Sequence, residues 1–406
     1  MEQIKTVEIK DICLGIYEGP HATPKNSDTG GIYLGIPALD PKGFIDYSRA
    51  KKIAEEDLPL WTKRVTPQED DIVFTNEATL NLYAIIPANF HGCLGRRLGL
   101  IRPNKDLVNV KYLFYYFFSP EWRETVAKNK VSGATVDRIL MTKFPSFPVA
   151  LPSLKTQERI ANILSVIDAK IEVNRQINDN LEQQAKALYK SWFVDFEPFK
   201  DGDFVESELG LIPEGWKVAE LSSVTKQITE KVKDRTDVKV LSPVNTGELV
   251  LSEEYFTKQV FSESVSKYIV VKPLQFAYNP ARVNIGSLGM NTFTFDGCVS
   301  PVYVAFECES NYHHFFDYYR KTDGFKEEVL TRAIGGVRQT LSYKDFSLIK
   351  LVYPPQEVVE KFNSIYGKLL DNINSIKSEN TKLSDLRDTL LPKLMSGELK
   401  INEIDC

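Results

Sequence analysis

One segment of this chain is written twice. Gly133 to Phe144 aligns with Gly335 to Phe346 at an offset of 202 residues, and each copy runs into a short apolar segment bearing proline, FPSFPVALP at 144–152 and FSLIKLVYPP at 346–355. Each copy then reaches a Gln-Glu pair, Gln157-Glu158 and Gln356-Glu357, and starts a long helical pattern, with three residues lost between landmarks. The offset is about half of the 406-residue length, so the chain reads as two tandem half-units of about 200 residues.

Within each half the texture changes abruptly. Thr6 to Pro148 and Trp216 to Pro354 carry Val, Ile, Tyr and Phe in short runs broken by Gly, Pro and Asn, as compact domains with many strands do. A short helix is predicted near Val110 to Val126, with a counterpart around Tyr312 to Leu330. From Thr156 to about Phe193, steps of four and three pick out Ile160, Leu164, Ile167, Ile171, Asn174, Asn178, Leu181, Ala185, Leu188 and Trp192, the seam of a coiled coil. In the second copy Phe362, Leu369, Ile376, Leu383 and Leu390 recur every seven residues, with Ile365, Asn372 and Leu386 between them. Asn174, Asn178 and Asn372 either fix register by meeting across the seam or sit at its solvent edge. Each helix spans around 35 residues, roughly 50 Å at 1.5 Å per residue.

The expected fold is α+β, with a pseudo-two-fold internal repeat. Two tandem mixed domains, 1–152 and 204–354, are separated by two long helices packed as an antiparallel coiled coil, in helical regions 153–203 and 355–406.

The inventory of reactive groups is thin. The five cysteines are odd in number and never form a CxxC pair, and four histidines leave little for metal binding, so no metal site is expected. His313 and His314 are adjacent and are read as surface residues; Cys298 and Cys308 are read as free buried thiols. There is no Walker A loop, HExxH, GxSxG or glycine fingerprint after a strand. Tyr278-Asn279-Pro280-Ala281 approaches the Asn-Pro-Pro-aromatic motif of amino methyltransferases but lacks its second proline and its aromatic, and an Asn-Pro turn accounts for it. No catalytic residue is assigned. No apolar run of 18 residues exists and the N-terminus lacks a signal pattern, so a cytoplasmic protein away from membranes is expected.

Net charge is −5, which is no global signature of nucleic-acid binding, but charge is segregated. His91 to Lys143 holds ten Lys or Arg against four Asp or Glu, and Arg320 to Lys350 holds seven against four, local balances of +6 and +3. Such segments either face phosphates or are ordinary solvated faces. Loops rich in Arg, Lys, Asn, Gln and Gly fall at matching points of the two halves. The candidates for DNA contact are Lys63, Arg64, Arg96, Arg97 and Arg138 in the first half, and Tyr278, Asn279, Arg282, Asn284, Arg332, Arg338 and Gln339 in the second. Arg can grip guanine bidentately, Asn and Gln can grip adenine, and Gly allows close approach to phosphates.

Three longer segments carry a resemblance. LPSLKTQERIANILSVIDAKIEVNRQINDNLEQQAKALYKSWFVDFEPF (151–199) resembles the central conserved region of specificity subunits of type I restriction-modification systems, and LRDTLLPKLMSGELKI (386–401) resembles their C-terminal conserved region. SELGLIPEGWKVAEL (207–221) resembles the opening of their second target-recognition domain, whereas the first half begins without the Pro-x-x-Trp found at Pro213 to Trp216. The resemblance covers essentially the whole chain. It implies a non-catalytic subunit that reads double-stranded DNA, each globular domain taking one half of a bipartite asymmetric target while the helices set the unspecified spacer. It also implies assembly with two modification (methyltransferase) subunits docked on the helices and, for cleavage, with restriction subunits. S-adenosylmethionine, Mg2+ and ATP would belong to those partners, with no cofactor in this chain. Trp192, Phe193 and Phe196 are candidates for burial against a partner, with capping of the internal seam the alternative for Trp192. The rival reading from the residues is an interaction scaffold, two β-rich binding modules on a coiled-coil rod with no DNA role.

Overall fold

A computed structural model describes residues 4–133, 136–256, 261–262, 264–309, 311–333 and 340–399. The chain divides into two compact units, residues 1–175 with 377–406 and residues 176–376. The division passes through both long helices, Leu154–Phe193 and Gln356–Met395, each of 40 residues. Each unit thus holds one globular module and about half of each long helix. Compactness cuts the chain where the expected boundaries at 152/153 and 354/355 kept the helices whole.

In the first unit a four-stranded antiparallel sheet runs Cys13–Glu18, Leu98–Pro103, Ile72–Thr75, Tyr83–Ile85. Ile72 to Thr75 is buried throughout because both faces of that sheet are covered. Ile72, Phe74 and Ile101 pack with Leu113, Phe117 and Trp122 of two helices, Val110–Tyr116 and Pro120–Asn129. Val73, Leu98 and Leu100 pack with Leu34 and Leu94 of a three-stranded sheet, Lys51–Ile53, Gly31–Leu34, Gly92–Leu94. The single helix expected over 110–126 is two, because Ser119 caps a new start by accepting from Trp122 N at 3.2 Å and Pro120 follows it.

The second unit repeats this plan. Its four-stranded sheet runs Thr225–Ile228, Val304–Cys308, Phe276–Tyr278, Leu288–Met290, and its other sheet runs Leu249–Leu251, Lys239–Pro243, Gly297–Val299, Ile269–Val271. Helices His313–Tyr319 and Asp323–Arg332 follow in the same order. A strand leads into the long helix in each unit, Pro148–Leu151 paired with Lys5–Glu8 and Lys350–Tyr353 paired with Lys217–Glu220. These strands and the long helices all keep the offset of 202, so the three-residue gap inferred from the Gln-Glu pairs is absent. Gln157 instead matches Val359, and both are buried. The second unit adds a hairpin, Phe204–Ser207 with Gly210–Pro213, that leads to Trp216.

Within each unit the long helices pack antiparallel. In the first, Ile160, Ala161 and Leu164 share a core with Leu391, Leu394 and Met395; in the second, Phe193 meets Phe362 at 4.9 Å between ring centroids. The seam expected on the first helix is found, with Ile160, Leu164, Ile171, Asn174 and Ala185 buried. On the second helix one row was placed a residue off. Ile365, Asn372 and Leu386 are exposed, and the row is Tyr366, Ile373, Asn380, Arg387 and Leu394. Polar Asn380 and Arg387 on that row concealed its heptad spacing. Asn174 Nδ2 donates to Asn380 Oδ1 at 2.9 Å and to Glu379 Oε2 at 2.7 Å, so this asparagine does meet a partner across the seam, though not Asn372. Trp192, Phe193, Phe196 and Phe199 are covered inside the second unit by Phe362 and Trp216. No helix among the described residues is long and apolar enough to cross a membrane.

Candidate nucleic-acid interface

In the first unit, register brings three chain segments to one end of the four-stranded sheet. Glu18, the last residue of its strand, lies opposite Gly99, and Thr75, the last of its own, lies opposite Leu98. The residues just beyond therefore emerge together: Gly19, Asn76-Glu77 and Arg96-Arg97. Asn76 N donates to Arg97 O at 3.1 Å, and Gly19 N donates to Leu98 O at 2.8 Å. A Cβ on Gly19 would lie 2.2 Å from Gly95 O, so only glycine lets these two turns lie side by side. The hairpin Val131–Ser132 with Asp137–Arg138 joins them, since Ile139 N donates to Asn76 O at 2.8 Å and Ala78 N to Asp137 O at 2.9 Å. Lys130 Nζ reaches Asp137 at 2.6 Å, and that hydrogen bond holds the carboxyl below its ordinary range.

All five candidates of the first half lie on this rim or beside it. Arg64 donates to Gly19 O at 3.2 Å, and Lys63 is its chain neighbour. Arg97 Nε sits 3.4 Å from Glu77 Oε1 without a hydrogen bond, and Arg138 pairs through its backbone with Glu77. Lys63, Arg96 and Arg138 are exposed and have no side-chain partner among the described residues. Sequence reasoning passed over Glu18, Asn76 and Glu77. Asn76 Nδ2 donates to Glu18 Oε1 at 3.0 Å, and His21 Nε2 lies 3.4 Å from Glu18 Oε2. Six cations, Lys130 included, against the three carboxylates Glu18, Glu77 and Asp137 leave a local excess of positive charge, which favours phosphate.

The second unit presents the same sheet end. The turn after Phe276–Tyr278 carries Asn279, Arg282 and Asn284, and Gly286 closes it at φ 92°. Asn279 Oδ1 accepts from Ala281 N at 3.0 Å, which forms the Asn-Pro turn; Arg282 is exposed and Asn284 half-buried. Leu341 N donates to Pro280 O at 3.1 Å, the counterpart of the Ile139–Asn76 bond. Arg338 and Gln339, which precede Leu341, lie outside the described residues. From behind, Arg320 donates to Leu288 O at 2.8 Å while held by Asp317. Burial by itself would raise the Asp317 carboxyl; Arg320 and Lys321 overcome that and hold it well below the usual carboxylate range.

One candidate of the second half is corrected. Tyr278 is fully buried, donates its hydroxyl to Leu341 O at 3.2 Å and packs on Phe346, because strand alternation turns it inward with Phe276. It belongs to the core. Arg332 ends its helix paired with Glu328 one turn back at 3.0 Å, and that helix packs against the turn segment Val283–Ile285. His313 and His314 are half-buried rather than on the surface, and His314 packs against Tyr366 at 5.6 Å between centroids.

Residues 1–183 match the model of the type I restriction modification DNA specificity domain. The chain is 28% identical over 386 residues to the type I restriction enzyme MjaIX specificity subunit of Methanocaldococcus jannaschii, which covers 91% of this chain and 88% of that one. It is 24% identical to the type I restriction enzyme HindI specificity subunit of Haemophilus influenzae, over 74% of this chain and 80% of that one. The crystal structure of a type I restriction-modification S subunit from M. genitalium superposes with a TM-score of 0.61 at 15% identity, covering 97% of this chain and 96% of that one, and shares its fold.

Proposed function

We propose, from the premise that this chain belongs to the type I restriction-modification specificity subunits, that it is the DNA-reading and non-catalytic member of its complex. The observation that carries the reading is the duplication of one surface. In both units the same end of the same four-stranded sheet gathers a strand-to-strand turn and a following segment, tied by equivalent backbone bonds and furnished with Arg and Asn. Each rim would address one half of a bipartite asymmetric target in double-stranded DNA. Exposed cations such as Arg96 and Arg282 would hold phosphates and set register, and the groups between them would read base edges.

The long helices would set the unspecified gap. At 40 residues each they measure about 60 Å, enough to separate two readers by more than one DNA turn of roughly 34 Å. Their outer faces would dock two modification subunits, with restriction subunits joining for cleavage. S-adenosylmethionine, Mg2+ and ATP would be bound by those partners, in the cytoplasm.

Methylome sequencing tests the reading. Cells expressing this chain with its cognate modification subunit should gain a methylated motif of two short blocks around a fixed gap, absent with the modification subunit alone. Exchanging the module at 217–353 should change one block only. An intact complex that adds no motif overturns the proposal and leaves an interaction scaffold.

A further inference from the structure

Besides Asp137, which Lys130 holds, the first unit's rim contains two carboxylates where a phosphate-binding surface has no use for them. Glu18 and Glu77 are each about one-third exposed, at 29% and 34% of the side chain. Negative charge facing a DNA backbone is repelled, so carboxylates amid these cations need a reason.

Charge balance within the protein is the obvious one, and the geometry argues against it. The same sheet holds an ion pair built for stability: Arg102 donates to both oxygens of Asp71 at 2.8 Å, and Asp71 is 1% exposed. Glu77 and Arg97 are different. They approach to 3.4 Å with no hydrogen bond between them, and Arg97 Nε is buried without any partner. Glu18 is held from behind by Asn76, a residue only 4% exposed whose own Oδ1 is buried and unpartnered. Buried polar groups are seldom left so, and a donor and an acceptor unsatisfied beside Glu18 and Glu77 show that the polar network here does not close on itself as the Arg102–Asp71 pair does.

Resting on the DNA-reading function proposed above, we infer that Glu18 and Glu77 read bases, each accepting a hydrogen bond from an exocyclic amino group in the major groove, cytosine N4 or adenine N6. Carboxylates are the acceptors suited to that donor, and they reject the carbonyl oxygens that guanine and thymine present at the same place. Asn76 and Arg97 are positioning residues that aim them. The second unit lacks this device. By the equivalent backbone bonds Pro280 stands where the first unit has Asn76, and Ala281 follows it where Glu77 stands. The two half-sites are thus read with different chemistry by one fold.

The test uses the whole complex with its modification subunit. Glu18→Gln and Glu77→Gln keep side-chain shape but exchange an acceptor oxygen for a donor. Each should lose discrimination on the order of 10- to 100-fold at one position of the block read by the first module, with the other block and the gap unchanged. Methylation rates on duplexes carrying single base changes report this. Unchanged discrimination at every position overturns the inference, as does uniformly tighter binding of all sequences with a steeper salt dependence, the mark of mere charge balance. Should a variant fail to assemble, the unaltered complex is assayed on duplexes lacking one exocyclic amino group at a time. At least one position in that block should then fall on the order of 10-fold, and none falling overturns the inference. The DNA-reading function fails separately, when the unaltered complex yields no bipartite motif.

Discussion

Arg96 and Arg97 are neighbours in sequence with different work to do. Arg96 is exposed with no side-chain partner among the described residues, whereas Arg97 lies against Glu77 and passes its carbonyl to Asn76. Arg96→Ala should weaken binding to all DNA sequences alike and reduce the salt dependence by about one counterion, measured as the slope of log affinity against log salt. Residue type was legible here, since the Gly-Arg-Arg turn marks itself; the role of each arginine was not, because it depends on Glu77 and Asn76 some 20 residues away. Tyr278 shows the converse, a polar-looking loop residue that strand alternation turned into the core. Two histidines carry a further expectation. Burial, with His314 nearby, pushes the His313 imidazole down to about 4, and burial lowers His314 too. The unfolded chain takes up these protons near pH 6.5 and the folded chain does not, so stability present above that pH is lost as pH falls from about 6.5 towards 4. Thermal melting across that range should show the loss, and His313→Gln should flatten it.

At the scale of elements, the helix seam is partly polar, and that is where the heptad reading slipped. Arg387 is 7% exposed on the second long helix, and its Nη1 lies 2.9 Å from Asp168 on the first. Asp168 also accepts from Tyr115 at 2.7 Å, so one carboxylate ties a helix of the first module to both long helices. Removing one partner of such a pair strands the other charge, while replacing both with apolar side chains does not. Arg387→Met should cost about 3 to 5 kcal/mol in unfolding free energy. The double change Asp168→Leu with Arg387→Met should cost markedly less, both read from denaturant melts. The apolar row Phe362, Leu369, Ile376, Leu383 and Leu390 was legible because Leu and Ile announce a seam. Its companion row was not, because whether Asn380 and Arg387 face the seam depends on partners 206 and 219 residues away.

For the whole molecule, the compact units are not the continuous halves that a repeat suggests. The first unit needs residues 377–399, the end of the second long helix and the turn after it, to cover Ile160 and Leu164. A fragment ending at Asp203 should therefore melt below the full chain and self-associate, and adding residues 377–399 as a separate peptide should raise its melting temperature. By itself the sequence determined the duplication, the two long helices, the strand-rich modules between them and the family resemblance, since each is carried by neighbouring residues or by a fixed period. Only the tertiary structure decided which side chains meet. Glu18, Asn76, Arg97 and Arg138 come from four segments spread over 120 residues, and nothing in their spacing reveals that strand register ends them all at one rim. Local pattern encodes which face a residue takes, and distant partners are chosen only when sheets and helices pack.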